Sequence, residues 1–236
     1  MCSNFAQFFS CIFVTYYIVQ RYLAPEFERF STTEITIESF LRSLFRCTVP
    51  GTVVLMFVFF AFLHSWFNAW AEMLRFGDRM FYKDWWNTTH FAGFYRTWNC
   101  VVHDWLYTYI YKEMIDTWKV RNKAVAALFV FAVSALFHEY IVMSSLKFFY
   151  PVLFIEFGFF GVILFFVRVN GRFSNIFLWT GLMFGMAIML SLYSLELSAR
   201  QLCPRSTNPT VIDMFMPRTF ICLTWKSSTF HSHDEL

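Results

Sequence analysis

Long apolar runs alternate with short polar belts along this chain, and the runs have the length of membrane crossings rather than of core helices. Spanning the hydrocarbon layer takes about 20 mostly apolar residues as helix, because every backbone polar group there must be paired within the segment. Five stretches meet that requirement, approximately 4–24, 50–71, 124–146, 148–168 and 174–195. The first lacks the basic leader of a secretory signal, with Arg21 coming after the apolar run, and reads as a spanning helix. Gly158, Gly161, Gly181 and Gly185 in the last two runs predict close helix contacts. The expected fold class is all-α, a polytopic transmembrane helix bundle with interfacial helices, forming one membrane-embedded domain over 1–236.

Composition sharpens this picture: 58% of residues are hydrophobic, 23% aromatic and only 15% charged, well outside the range of soluble domains. A formal net charge of +3 gives no reason to expect nucleic acid as a partner. Placement matters more than the sum. Numbering sides by alternation, residues 73–123 and 168–173 carry Arg75, Arg79, Lys83, Arg96, Lys112, Lys119, Arg121, Lys123, Arg168 and Arg172. The positive-inside rule puts that side in the cytosol, and the tail 196–236 in the lumen.

Segment 73–123 is too polar to span and too aromatic to be a free loop. Its Trp and Tyr residues alternate with Lys, Asp and Arg, the pattern of in-plane helices at headgroup level. Asn87 opens an Asn-Thr-Thr glycosylation acceptor, which the cytosolic placement leaves unused. In the tail, Cys203 and Cys222 lie in a Pro-containing stretch where an oxidising lumen permits a bridge, two unrelated thiols being the alternative. The other four cysteines show no metal spacing, so no metal is expected. The chain ends His233, Asp234, Glu235, Leu236, which has the form of a retrieval signal of the endoplasmic reticulum.

His138 stands out chemically, because it lies in a run whose residues from Ala124 to Phe137 include only Ser134 as a polar side chain. Ionisable groups at that depth are costly and face a bundle interior or wet cavity. Ser134 and Ser145 share its helical face, while Glu139 points about 100° away and is expected to fix structure. A histidine that hydrogen-bonds between helices for packing accounts for the residue as well as a catalytic base does. A neutral imidazole would accept the proton of an alcohol. His64 and His103 read as structural by position, one in a span and one in the belt.

The run FYKDWWN (81–87), with its approach FFAFLHSWFNAWAEMLRFGDRM (59–80), and the stretches YRTWNCVVHDWLY (95–107), VSALFHEY (133–140), FFYPVLF (148–154) and ARQLCP with a later PR and Cys (199–222) resemble the C-terminal half of sterol O-acyltransferases. These form a branch of the membrane-bound O-acyltransferase superfamily. The DWWN and HEY elements are shared with the diacylglycerol acyltransferase branch. The FLH to MLRFGDRM approach and the cysteine-bounded tail favour sterol.

The resemblance implies transfer of a fatty acyl group from acyl-CoA to a sterol hydroxyl in the endoplasmic reticulum membrane. His138 would be the base and Asn87 its partner, with Trp86, Tyr82, His103 and Ser134 lining the substrate site and a Cys203–Cys222 disulfide in the tail. It further implies no cofactor beyond acyl-CoA as substrate, contact with membrane lipid, and a homo-oligomer in the full-length form. Members of that family are around twice this length, so the missing N-terminal spans predict little or no activity for this polypeptide alone. Diacylglycerol acylation, and a non-catalytic membrane component or transporter, are the competing readings.

Overall fold

The computed structural model describes residues 1–32, 35–167, 169, 173–203 and 211–220, with backbone only at 211–212. Within them the chain is helical, and no strand occurs among the described residues. Four helices are long and apolar enough to cross a membrane: α1 (Cys2–Thr32), α2 (Ile37–Met73), α5 (Lys123–Leu146) and α7 (Phe173–Leu202). Between α2 and α5 lie a 3-10 turn at Trp85–Asn87, the short helix α3 (Phe91–Thr97), and α4, which runs from Cys100–Leu106 through Tyr107–Tyr111 to Lys112–Asp116. The apolar helix α6 (Val152–Phe166) and the short α8 (Val211–Phe215) complete the described elements.

The run at 148–168 is expected to span but yields a helix of only Val152–Phe166, about 22 Å at 1.5 Å per residue and short of the roughly 30 Å hydrocarbon layer. Two local features delay its start. Lys147 closes α5 in the left-handed region (φ 64°), and Pro151 is the residue before the first helical turn. By contrast α1 and α2 extend beyond the apolar runs. Thr36 and Ser39 form a reciprocal capping box at the start of α2, with Ser39 N donating to Thr36 Oγ1 at 3.1 Å and Thr36 N to Ser39 Oγ at 2.9 Å. Asn99 and Asn122 cap α4 and α5 through their Oδ1 atoms.

The core consists of three buried clusters. Phe59, Leu63, Trp85, Phe91, Phe94 and Leu178 join α2, the 3-10 turn, α3 and α7. Leu23, Leu44, Cys47 and Ala187 join α1, α2 and α7, and Phe148, Val152, Leu153 and Tyr193 join α6 to α7. Close approach depends on missing side chains at particular points: a Cβ at Gly181 would meet Phe91 Cζ at 2.7 Å. Gly158 and Gly161 also lie against neighbours, but Gly185, expected at a contact, faces open space within 4 Å.

Candidate active site

The FYKDWWN run is held as a strap rather than as a free belt. Lys83 N donates to Thr97 O at 2.8 Å and Cys100 N to Phe81 O at 2.9 Å, which lays the run along the α3–α4 junction. The turn is then fastened to the first turns of α7. Asn175 Nδ2 donates to the carbonyls of Trp86 (2.8 Å) and Thr88 (2.9 Å), and Trp179 Nε1 donates to that of Trp86 at 3.2 Å. Trp85 anchors it from inside, in ring contact with Phe59, Trp86, Phe94, Trp98 and Trp179.

His138 is half-buried on α5. Its Nδ1 lies 2.7 Å from Ser134 O, and its ring stacks on Phe157 of α6 at 4.4 Å and 18°. A backbone carbonyl can only accept, so Nδ1 carries the proton of the neutral ring and Nε2 holds the free lone pair. That is the tautomer a general base at Nε2 requires. Ser134 therefore serves His138 through its carbonyl, and Ser145, on the same face, donates to Ile141 O at 2.9 Å.

Glu139 has the structural part its helical position suggests. It is buried (2% exposed) and accepts from Tyr193 Oη at 3.0 Å and from Phe154 N at 3.1 Å. Tyr193 Oη in turn accepts from Leu153 N at 3.3 Å. Two orphan N–H groups at the start of α6, which Pro151 has no side chain to cap, are thus satisfied from α5 and α7. Glu139→Ala would strand buried donors at about 1–3 kcal/mol each. A melting temperature lower by several degrees in detergent is the expected outcome, read by the loss of monodisperse protein after heating.

The remaining expected residues are not gathered in one place. Tyr82 Oη meets His64 Nδ1 at 2.9 Å, and burial followed by the nearby Asp84 charge pushes the phenol pKa up, keeping it protonated. His64 itself sits in a π-helical turn, Phe60–Trp66, stacked on Phe60 at 4.5 Å, and its pairing with Tyr82, 18 residues on, has no local spacing to suggest it. Asn87 and Trp86 are exposed, and no described contact joins Asn87 to His138. His103 pairs with its neighbour Asp104 at 3.0 Å and stacks on Tyr107 of the same helix. Cys203 is disulfide-bonded, and Cys222 lies outside the described residues, as does the His233–Leu236 ending.

What connects the strap to α5, the helix that carries His138, is aromatic packing. Trp85 touches Phe94, Phe94 touches Tyr95, and Tyr95 meets Phe131 of α5 edge to face at 5.3 Å. Tyr95 is outside the spanning helices but so buried that its hydroxyl pKa is pushed up to about 12, so it remains neutral. A shallow groove of about 380 Å³ opens elsewhere, lined by Trp66, Phe67, Trp70, Ala71, Leu74, Phe76 and Phe81. Among the described residues no three His, Cys, Asp or Glu side chains are grouped to hold a metal ion.

Comparison with known proteins agrees with the membrane helix bundle. The model of the MBOAT, membrane-bound O-acyltransferase family, matches residues 2–195. Sterol O-acyltransferase 1 of Chlorocebus aethiops is 48% identical over 93% of this chain, which covers 40% of that protein. The Mus musculus protein of the same name is 48% identical over 93% of the chain and 41% of its own length. Sterol O-acyltransferase 2 of Homo sapiens is 44% identical over 94% of the chain and 43% of its own length. The chain therefore spans about two fifths of the curated relatives it matches. With apolar helices of spanning length, a histidine in one of them and a family match that runs from the first helix into the last long one, this multi-pass membrane chain belongs to the membrane-bound O-acyltransferase family.

Proposed function

We propose that the protein of which this chain is part transfers a fatty acyl group from acyl-CoA to a sterol hydroxyl within the endoplasmic reticulum membrane. The observation that carries the chemistry is the 2.7 Å contact between His138 Nδ1 and Ser134 O, which assigns the ring proton to Nδ1 and leaves Nε2 to accept a proton. In the reaction the sterol oxygen forms a bond to the thioester carbonyl carbon while Nε2 takes the hydroxyl proton. The carbon–sulfur bond then breaks, and the imidazolium returns the proton to the departing thiolate, giving sterol ester and free CoA. No covalent acyl-enzyme is needed.

Sterol as acceptor is supported by the names and identity of the relatives, and diacylglycerol is the competing acceptor. Offering both alcohols with one labelled acyl-CoA to the full-length protein in membranes is expected to label sterol ester predominantly. Predominant triacylglycerol would reject the sterol assignment. The part of Asn87 as partner of His138 rests on the resemblance alone, and so do Trp86, Tyr82, His103 and Ser134 as substrate contacts. The lumenal tail with its Cys203–Cys222 bridge and a homo-oligomeric state are likewise part of this reading.

A further inference from the structure

His138 is held by the Ser134 carbonyl of its own helix and by one ring contact from α6. Helix α6 opens into a π-helical turn at Glu156–Gly161, and such turns recur at functional sites because they aim side chains that a regular helix would not. Phe157, the second residue of that turn, is the ring on which His138 stacks. Gly161 closes the turn. A Cβ there would lie 2.9 Å from Tyr95 Oη and 3.2 Å from the Glu156 carbonyl oxygen, so the phenol of α3 occupies the space that any larger residue would need.

Tyr95 also reaches the other wall of the site. Its ring meets Phe131 of α5, and Phe131 meets Phe165 of α6 at 5.2 Å. Higher up the same pair of helices, Ala135 Cβ is 3.6 Å from the Cβ position of Gly158. A rigid ring wedged between α5 and the open turn of α6 fixes how far one helix can slide along the other, since close-packed aromatic groups have no intermediate arrangement.

We propose that Tyr95 and Gly161 form a lock that sets the register of α6 on α5, and that Tyr95 is thereby a positioning residue for His138. Tyr95 touches no reacting atom; it acts through Phe157. The effect on catalysis rests on the acyltransferase reading above, whereas the effect on register does not.

Two readouts in the full-length protein separate these. Cysteines placed at Ala135 and Gly158 have the Cβ spacing of about 3.5–4.5 Å that a disulfide needs, and oxidation should cross-link them, as identified by mass spectrometry of the linked peptides. Gly161→Ala should slow that cross-linking by at least about fivefold and lower kcat for esterification by at least about tenfold, the scale of a fraction-of-an-ångström misplacement. Adding Tyr95→Phe removes the closer of the two oxygens, leaving the Glu156 carbonyl at 3.2 Å, and should return both quantities to within about threefold of the parent. Cross-linking that fails in the parent, is untouched by Gly161→Ala, or is not restored by Tyr95→Phe overturns the lock. Restored cross-linking without restored kcat overturns the positioning role. A parent that cross-links but does not esterify sterol rejects the sterol assignment and leaves the register result standing on its own.

Discussion

Glu196→Ala is expected to unfold the C-terminal end of the bundle. The carboxylate is fully buried (0% exposed) yet completely provided for, accepting from Arg200 Nε at 2.7 Å, Arg218 N at 2.9 Å, Thr219 N at 3.0 Å and Thr219 Oγ1 at 2.7 Å. Arg200 extends the network, donating to the carbonyls of Asp213, Met214 and Met216, with its guanidinium 4.5 Å from the centre of the Phe148 ring. Arg218 Nη1 donates to Cys203 O at 2.9 Å. These bonds tie segment 213–219 back onto the end of α7 and onto the α5–α6 connection.

Removing Glu196 would leave a part-buried guanidinium without this counter-charge and N–H groups of 218–219 without an acceptor. Breaking a buried pair from one side costs roughly 3–5 kcal/mol. A domain of this size loses about 2–4 °C of melting temperature per kcal/mol, so a fall on the order of 10 °C is expected in detergent. Glu196→Gln should be milder, because one carbonyl oxygen can still accept while the amide nitrogen faces donors. Equal melting temperatures for Glu196→Ala and the parent would show that the network contributes nothing.

How much of this could be read in the sequence depends on how local each cause is. α5 was legible from its apolar run, and Glu139 from its angle around that helix. The shortness of α6 was not, because hydropathy scores Phe148, Phe149 and Tyr150 as membrane residues and is blind to the left-handed Lys147 that turns the chain before them. His138 announced itself as a lone polar group, but the carbonyl that its Nδ1 faces is not recorded in composition.

The partnership of Glu196 with Arg218 joins residues far apart in sequence, and at four-residue spacing Glu196 and Arg200 look like an ordinary surface pair. His64 with Tyr82, and Tyr95 with Gly161, were hidden for the same reason: each pair meets only once the strap is folded against its neighbouring helices. Gly185 shows the converse, a glycine whose presence in an apolar run suggested a contact that the packing does not make.

His138→Ala carries the largest expected functional effect. Position-specific proton transfer by a placed side chain is worth about 10²–10⁴ in rate, and the alanine variant keeps every described backbone bond of α5 while deleting the only imidazole on that helix. Losing the Phe157 stack removes some packing, so stability must be matched before rates are compared. The decisive measurement is the initial rate of sterol ester formation from acyl-CoA by full-length parent and His138→Ala protein, purified to the same monodisperse amount and reconstituted in sterol-containing vesicles. A drop of at least about 100-fold with the protein still folded is predicted. A variant that esterifies sterol within about threefold of the parent would contradict the assignment of Nε2 as the base.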